Sequence, residues 1–137
     1  ERAGSENVLH LHGNIRLSKS SGPNAEKKYY TIPGTSLSEK DLCPDGYRLR
    51  PHVVWFGEAV PMMNKASVII SAATHFVVVG SSLQVYPAAG LVDVCPHGAI
   101  KWIIDPKAGQ IGVHSGFKCI QKSAVEGIQQ VIQEIKL

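Results

Sequence analysis

The sequence predicts an α/β fold, built as half of a doubly wound parallel sheet with a small polar insert. Short apolar runs typical of buried strands alternate three times with segments of helical spacing. Two of these runs end in small or acidic polar residues, as expected at the carboxyl edge of a parallel sheet. The chain has 137 residues, a common length for one domain.

The composition favours a folded protein over a disordered, nucleic-acid-binding or membrane protein. Hydrophobic residues make up 44% and charged residues 18%, which favours a folded core and argues against wholesale disorder. The net charge of +3 is spread along the chain, so no nucleic-acid surface is predicted. No apolar run approaches the roughly 20 residues that span a membrane, so we expect a soluble protein with no membrane partner.

The three cysteines are Cys43, Cys95 and Cys119. Their number is odd and their spacing wide, whereas a disulfide framework needs pairs and a zinc ribbon needs paired CxxC motifs. The pattern therefore indicates isolated thiols in a reducing compartment, and we expect a cytoplasmic protein.

The first predicted strand, Asn7 to Leu11, leads into a His12-Gly13 turn. Glycine allows a sharp turn that leaves the imidazole projecting, which suits a catalytic base and equally suits an ordinary turn. From Asn14 to Tyr47 the chain is polar and turn-rich. We expect loops at Ser18–Asn24 and Pro33–Ser38 and a short strand at Lys28–Ile32.

Apolar character returns after this insert. Val53 to Phe56 is predicted to form a strand that ends at Gly57, and Pro61 to Ala73 is predicted to form a helix. The apolar positions of that helix recur at helical spacing and should bury one stripe. They are Met62, Ala66, Ile69, Ile70 and Ala73.

The central strand is predicted at Phe76 to Val79, with both faces buried because the run is uniformly apolar. A turn of Gly80, Ser81 and Ser82 follows, and Pro87 to Val94 should form a helix, since proline is tolerated in a first turn. Strand, polar turn and helix together are the outline of a nucleotide-binding crossover. The same pattern also fits an ordinary turn.

Ile100 to Ile104 is the next predicted buried strand, and Asp105 follows it. A carboxylate there suits ribose hydroxyls, although an Asp-Pro turn explains it equally well. A last strand is predicted at Lys118 to Gln121. Ser123 and Glu126 then have the spacing of a capping box that opens a helix. The apolar face of this helix is predicted to be Ile128, Val131, Ile132 and Ile135.

Three longer motifs resemble the sirtuin family, the NAD-dependent protein-lysine deacylases. They are LHGNI at Leu11–Ile15, RPHVVWFGEAVP at Arg50–Pro61 and GSSLQVYPAAGL at Gly80–Leu91. Their order and spacing are similar to those of bacterial members and their mitochondrial relatives. The resemblance implies a Rossmann-like fold, NAD as co-substrate, and transfer of an acyl group from a protein lysine with release of nicotinamide and O-acyl-ADP-ribose.

The resemblance also implies roles for individual residues. His12 is similar to the general base that deprotonates the nicotinamide-ribose hydroxyls, a task that suits an imidazole. The positions that resemble the NAD site are Gly80, Ser81, Ser82, Ile103, Ile104, Asp105 and Ala124. The positions that resemble the acyl-lysine tunnel and the peptide clamp are Val54, Phe56, Gly57, Glu58 and Val85. A substrate peptide clamped between two strands would be bound mainly through its backbone.

The chain departs from the family pattern at several points. Only Cys43 lies where the family usually has four zinc thiolates, so the insert, a degenerate zinc-ribbon region, is expected to close without metal. The family's ribose-binding asparagine falls on Ile103, which leaves Asp105 or backbone groups as substitutes. The remaining histidines are expected to be packed or surface imidazoles: His10, His52, His75, His97 and His114.

The opening residues are similar to the segment that follows the family's Gln-Asn-Ile-Asp motif. We therefore expect the carboxyl-terminal half of the enzyme, as a shortened chain or as one of two chains. Residues 1–13 and 48–137 would form the NAD-binding half-domain, and residues 14–47 the insert. A non-catalytic module that binds a nucleotide or peptide is the alternative, and a structural relic is a third.

Overall fold

The computed structural model describes residues 1–112 and 116–135. The chain divides into two compact units, Glu1–Met62 and Met63–Leu137. Within the described ranges, no helix is long and apolar enough to cross a membrane. His114, expected to be a packed or surface imidazole, lies outside these ranges.

The first unit is built on an antiparallel sheet of three strands. Strand β1 is Gly13–Ser20, β2 is Tyr29–Thr31 and β3 is Leu49–Val53. The strand order is β2-β1-β3, so β1 is central and pairs with both neighbours. The pairing of β1 with β3 shifts register between Asn14 and Ser18, as a β-bulge does.

Three sequence predictions for this unit are wrong. Asn7 to Leu11 is not a strand, since no strand among the described residues pairs with it. Ser18 to Ser20 belongs to β1 instead of a loop, because Ser18 and Lys19 pair with strands on both sides and Ser20 pairs with Leu49. The strand predicted at Val53 to Phe56 lies earlier, at Leu49–Val53. It contains Pro51, which an edge strand tolerates because one side of its backbone needs no partner.

The second unit is a parallel sheet with helices, which confirms the α/β class. Its strands are β4, His75–Val79, β5, Ile100–Ile104, and β6, Phe117–Ile120, in the order β4-β5-β6. Parallel register pairs Val79 with Ile104 and Ile104 with Ile120. The bounds of β5 agree with the prediction at both ends.

The helices of this unit are α1, Met63–Ser71, α2, Leu91–Val94, and α3, Ala124–Ile135. A short 3-10 turn, Ala88–Gly90, leads into α2, so the predicted helix from Pro87 exists in two parts. The predicted stripe on α1 is only partly correct, because Ala66 is buried whereas Ile69 is 56% exposed.

Strand β5 supplies the core of the second unit. Trp102 and Ile104 pack with Val131 on the face covered by α3, and Ile103 packs with Val78 on the opposite face. Alternation of side chains along a strand produces this division. The strand predicted to be buried on both faces, Phe76 to Val79, is instead an edge of the described sheet. Val79 is accordingly 44% exposed.

The capping box at the start of α3 is confirmed. The amide of Glu126 donates to Ser123 Oγ at 3.4 Å, and Glu126 Oε2 accepts the Ser123 amide at 3.4 Å and the Ser123 hydroxyl at 2.6 Å. Ile128, Val131 and Ile135 of the predicted apolar face pack in the core. Ile132 is 40% exposed, so that member of the predicted face is wrong.

Candidate functional site

The His12 side chain projects from a tight turn at the start of β1. The Gly13 amide donates to the His10 carbonyl at 3.3 Å, and Gly13 has φ +91°, a conformation that favours glycine. A Cβ atom on Gly13 would lie 2.1 Å from the His52 carbonyl oxygen. Close packing of backbone against backbone therefore fixes the turn, and the His12 side chain is exposed.

The motif Arg50–Pro61 is hydrogen-bonded to this turn. The Val54 amide donates to the His12 carbonyl oxygen at 3.0 Å, and Gly13 pairs with Val53 across β1 and β3. The structure thus brings the predicted base, His12, next to Val54, one of the predicted substrate-binding residues. Both are held by main-chain hydrogen bonds, which leave the imidazole available for chemistry.

A turn follows Val54, where a strand was predicted. The Glu58 amide donates to the Trp55 carbonyl at 3.0 Å. Gly57 has φ +87°, and the Phe56 side chain is 94% exposed. An apolar ring displayed in this way has no packing partner within its own unit, so it is free to contact a ligand.

The Glu58 carboxylate closes this turn. It accepts the Trp55 amide at 3.1 Å through Oε2 and the Arg50 guanidinium at 2.7 Å through Oε1. The hydrogen bond from Trp55 and then that from Arg50 lower the pKa of Glu58. Arg50 also donates to the Val53 carbonyl at 3.3 Å. The sequence analysis assigned Arg50 no role, although Arg50 begins the motif Arg50–Pro61 that also contains Glu58.

The Gly80 turn lies at the carboxyl end of β4. Gly80 has φ +60°, and its amide donates to the Ile104 carbonyl at 2.9 Å. The Ser81 hydroxyl accepts the amide of Leu83 at 3.3 Å, and Leu83 also has a positive φ, +53°. Two residues with positive φ, Gly80 and Leu83, therefore shape the segment that the sequence predicted as a ligand turn.

A depression of about 260 Å³ opens beside this turn. Ser82 and Asp105 both line it, because they follow adjacent parallel strands whose carboxyl ends share one edge. Asp105 is held in place, since its Oδ1 accepts the Lys107 amide at 2.7 Å. Gln84, Lys107 and Gln110 complete the polar lining, and none of them was predicted as an NAD-binding residue. A depression lined by hydroxyl, carboxylate, amide and ammonium groups suits the hydroxyls and phosphates of a nucleotide.

Other predicted positions lie elsewhere in the second unit. The side chains of Ile103 and Ile104 are fully buried, so either residue could meet a ligand only through its backbone. Ala124 is exposed at the first residue of α3. Val85 is 52% exposed, and its carbonyl accepts the Ala89 amide at 2.9 Å.

The residues around Cys43 do not fit a structural zinc site. Cys43 is 4% exposed, and its thiol donates to Ser20 Oγ at 3.5 Å. This hydrogen bond is the main cause that lowers the pKa of Cys43. Within residues 1–112 and 116–135, no group of three or more His, Cys, Asp or Glu side chains could hold a metal ion, whereas a structural zinc takes four ligands.

Comparison with known proteins gives consistent matches. A sequence model of the Sir2 family matches residues 1–87. A Helicobacter pylori protein named NAD-dependent protein deacylase is 38% identical over 136 residues, which cover 98% of this chain and 58% of that protein. A protein of the same name from Aggregatibacter actinomycetemcomitans is 46% identical over 110 residues, which cover 77% of this chain and 50% of that protein.

Solved structures of similar proteins agree with these sequence matches. The crystal structure of a Sir2 homologue in complex with NAD is 30% identical, with a TM-score of 0.75 over 98% of this chain and 53% of that one. Sir2Tm bound to a propionylated peptide is 28% identical, with a TM-score of 0.73 over 98% and 59%. These likenesses confirm the predicted Rossmann-like α/β fold. The chain spans between 50% and 59% of the length of these four proteins.

Proposed function

This chain belongs to the Sir2 family, and we propose that it contributes to an NAD-dependent protein-lysine deacylase. The reaction transfers an acyl group from a lysine side chain to the ADP-ribose part of NAD and releases nicotinamide. The chain supplies the general base and part of the NAD and peptide sites. The names of its relatives, NAD-dependent protein deacylases, support this activity.

His12 is the proposed general base. After the acyl oxygen attacks the anomeric carbon and nicotinamide leaves, a ribose hydroxyl must lose a proton before it can attack the acyl carbon. A neutral imidazole accepts that proton near neutral pH. The observation that carries this assignment is the 3.0 Å hydrogen bond from the Val54 amide to the His12 carbonyl, which presents an exposed imidazole beside the second motif.

We assign one further group of residues to the peptide site and another to the NAD site. The acyl-lysine peptide contacts the segment after β3 and the segment after the Gly80 turn, through Val54, Phe56, Gly57, Glu58 and Val85. Phe56, with 94% of its side chain exposed, is the apolar surface best suited to a lysine methylene chain and its acyl group. NAD contacts Gly80, Ser81, Ser82, Asp105, Ala124 and the backbone of Ile103 and Ile104.

The proposed domain organisation follows from these roles. Residues 1–13 and 48–137 would form the NAD-binding half-domain, and residues 14–47 an insert that folds without zinc. Antiparallel pairing within the insert and the hydrogen bond between Cys43 and Ser20 support folding without metal. Metal analysis of the purified chain tests this part, and one bound zinc per chain would overturn it.

Nicotinamide release from NAD and an acetyl-lysine peptide tests the activity. The 137 residues do not contain the family's Gly-Ala-Gly-Ile-Ser cofactor loop or its Gln-Asn-Ile-Asp nicotinamide pocket. The assay therefore supplies both motifs on a second polypeptide and compares this chain alone with the mixture. Activity is expected in the mixture and should be lost in the variant His12→Ala. The variant His97→Ala is a matched control, because His97 is also exposed. Activity that survives His12→Ala would remove His12 from the mechanism.

The depression between Ser82 and Asp105 favours a second function, nucleotide binding without chemistry. Calorimetric titration of this chain with NAD, and separately with the acetyl-lysine peptide, discriminates between the two. Tight binding of NAD by the chain alone, with no turnover in any mixture, would favour the binding module. Weak binding alone with turnover in the mixture would favour the enzyme.

A further inference from the structure

The imidazole of His52 stacks on the ring of Tyr29. The ring centroids are 3.9 Å apart and the planes differ by 20°. His52 lies in β3 and Tyr29 in β2, the two strands that flank β1. The stacked pair therefore connects the outer strands of the first sheet over its central strand. His52 pairs with Asn14, next to the His12-Gly13 turn, whereas Tyr29 pairs with Lys19 on the other side of the register shift in β1.

A hydrogen-bond network fixes the Tyr29 half of this pair. The Tyr29 hydroxyl donates to Glu26 Oε2 at 2.9 Å, and the Lys19 ammonium, 3% exposed, donates to Glu26 Oε1. Burial opposes ionisation of Glu26, but the hydrogen bonds from Lys19 and Tyr29 outweigh it and lower its pKa. A charged Glu26 therefore anchors the Tyr29 ring against which His52 packs.

The surroundings of His52 favour a neutral ring. Its Nδ1 atom is buried and has no hydrogen-bond partner within the described parts of the chain. Protonation would place an N–H at this atom with no acceptor, which is costly in a buried site. Burial, and next the charge of Lys19, lower the pKa of His52. His10 and Arg50 act in the same direction, and only Glu26 opposes them.

The backbone of His52 supports the catalytic turn directly. Its carbonyl oxygen occupies the space that a Cβ atom on Gly13 would need, 2.1 Å from that position. Two residues later, the Val54 amide donates to the His12 carbonyl at 3.0 Å. Any change in the position of His52 within β3 would thus be transmitted to both sides of the His12-Gly13 turn.

We propose that His52 is a positioning residue for His12, because its ring, held against Tyr29, fixes the end of β3 against the His12-Gly13 turn. His52 touches neither NAD nor peptide in this scheme, and it acts through the backbone. This role in catalysis rests on the proposed deacylase function. The structural part of the proposal does not, so it can be measured without turnover.

Amide hydrogen exchange of Val54 in the isolated chain tests the structural part. His52→Ala removes the stacked ring and should accelerate exchange of this amide at least tenfold. His52→Phe keeps an aromatic ring on Tyr29 and should leave the exchange rate unchanged. An unchanged rate in His52→Ala would overturn the proposal, as would equal acceleration in both variants.

A pH series provides a test that does not depend on the alanine variant folding. Because the pKa of His52 lies below its usual value of 6.5, the wild-type ring is protonated only as pH falls well below that value. Over that acid range Val54 exchange, corrected for its intrinsic pH dependence, should accelerate. His52→Phe cannot be protonated at this position and should show no such acceleration. Identical pH profiles for wild type and His52→Phe would contradict the proposal.

Kinetics of the mixture that releases nicotinamide test the catalytic part. His52→Ala should lower kcat about tenfold with little change in the KM for NAD, and His52→Phe should restore kcat. A rise in KM at unchanged kcat would indicate that His52 acts on binding, against the proposal. If no mixture turns over while Val54 exchange changes as expected, the deacylase proposal fails and the positioning geometry stands.

Discussion

The indole Nε1–H of Trp102 donates a hydrogen bond of 3.0 Å to the carboxylate of Glu134, 32 residues further along the chain. Trp102 is 1% exposed in the centre of β5, so this bond ties the last turn of α3 to the middle of the sheet. Glu134 also accepts Lys118 at 2.8 Å and Gln130 at 3.2 Å. One carboxylate therefore satisfies a buried indole and joins β5, β6 and α3.

This relationship predicts an acid-dependent stability. Hydrogen bonds from Lys118, Trp102 and Gln130, in that order, lower the pKa of Glu134 to about 2. Because the folded pKa lies below the unfolded value, the stabilising effect is complete above about pH 4.5 and is lost as pH falls towards 2. Glu134→Gln should lower the Tm at pH 6 and have little effect near pH 2. Thermal unfolding from pH 6 to pH 2 measures the difference.

Glu6→Gln is the control for this experiment, because Glu6 is exposed and lies in the other unit. Its Tm should follow that of the wild type at every pH. A Glu134→Gln variant that follows the wild type in the same way would show that this carboxylate does not stabilise the second unit.

Gly13→Ala should destabilise the chain by at least about 3 kcal/mol. Two costs add there, a positive φ of +91° and a Cβ position 2.1 Å from the His52 carbonyl oxygen. Gly34→Ala is the matched control, since Gly34 has φ +75° and open space around its Cβ position. That control should lose about 1 kcal/mol. Chemical denaturation of both variants gives the two values, and equal losses would contradict the close approach.

Gly127→Ala should reverse the usual effect of this substitution. Within a helix, alanine is normally about 1 kcal/mol more favourable than glycine. Here a Cβ atom would lie 2.3 Å from Ile104 Cγ2 and 3.3 Å from Ile120 Cγ2, and overpacking of a core costs about 1–3 kcal/mol. We expect a net loss of about 1 kcal/mol by urea denaturation. Gln129→Ala, at an exposed position of α3, should change stability by less than about 0.5 kcal/mol.

Asp105→Ala tests the proposed NAD site. Loss of the carboxylate from the depression shared with Ser82 should raise the KM for NAD about tenfold and leave the KM for the acyl peptide unchanged. Asp105→Asn keeps an oxygen that can accept the Lys107 amide, so it separates loss of charge from loss of the turn. Asp45→Ala, in the insert, is the control. Equal KM values for NAD in wild type and Asp105→Ala would remove Asp105 from the site.

A sequence prediction succeeded where the structure is determined by residues that are close together in the chain. The bounds of β5 follow from a short, mainly apolar run with turn residues on both sides. The Ser123–Glu126 capping box depends on side chains three residues apart. The turn at His12 follows from Gly13, whose positive φ is a local preference. By contrast, β1 extends to Ser20 through polar residues, because strands from elsewhere in the chain pair with it.

The sequence by itself determined the α/β class, the order of strands and helices in the second unit, and the family, through motifs of contiguous residues. Only the tertiary structure decided that β5 is the central strand, that Arg50 holds Glu58, and that His52 stacks on Tyr29. The physical reason is that propensity and periodicity act within a few residues. Hydrogen bonds and ring contacts between residues far apart in the chain depend on which strands become neighbours, and a single sequence does not record that pairing.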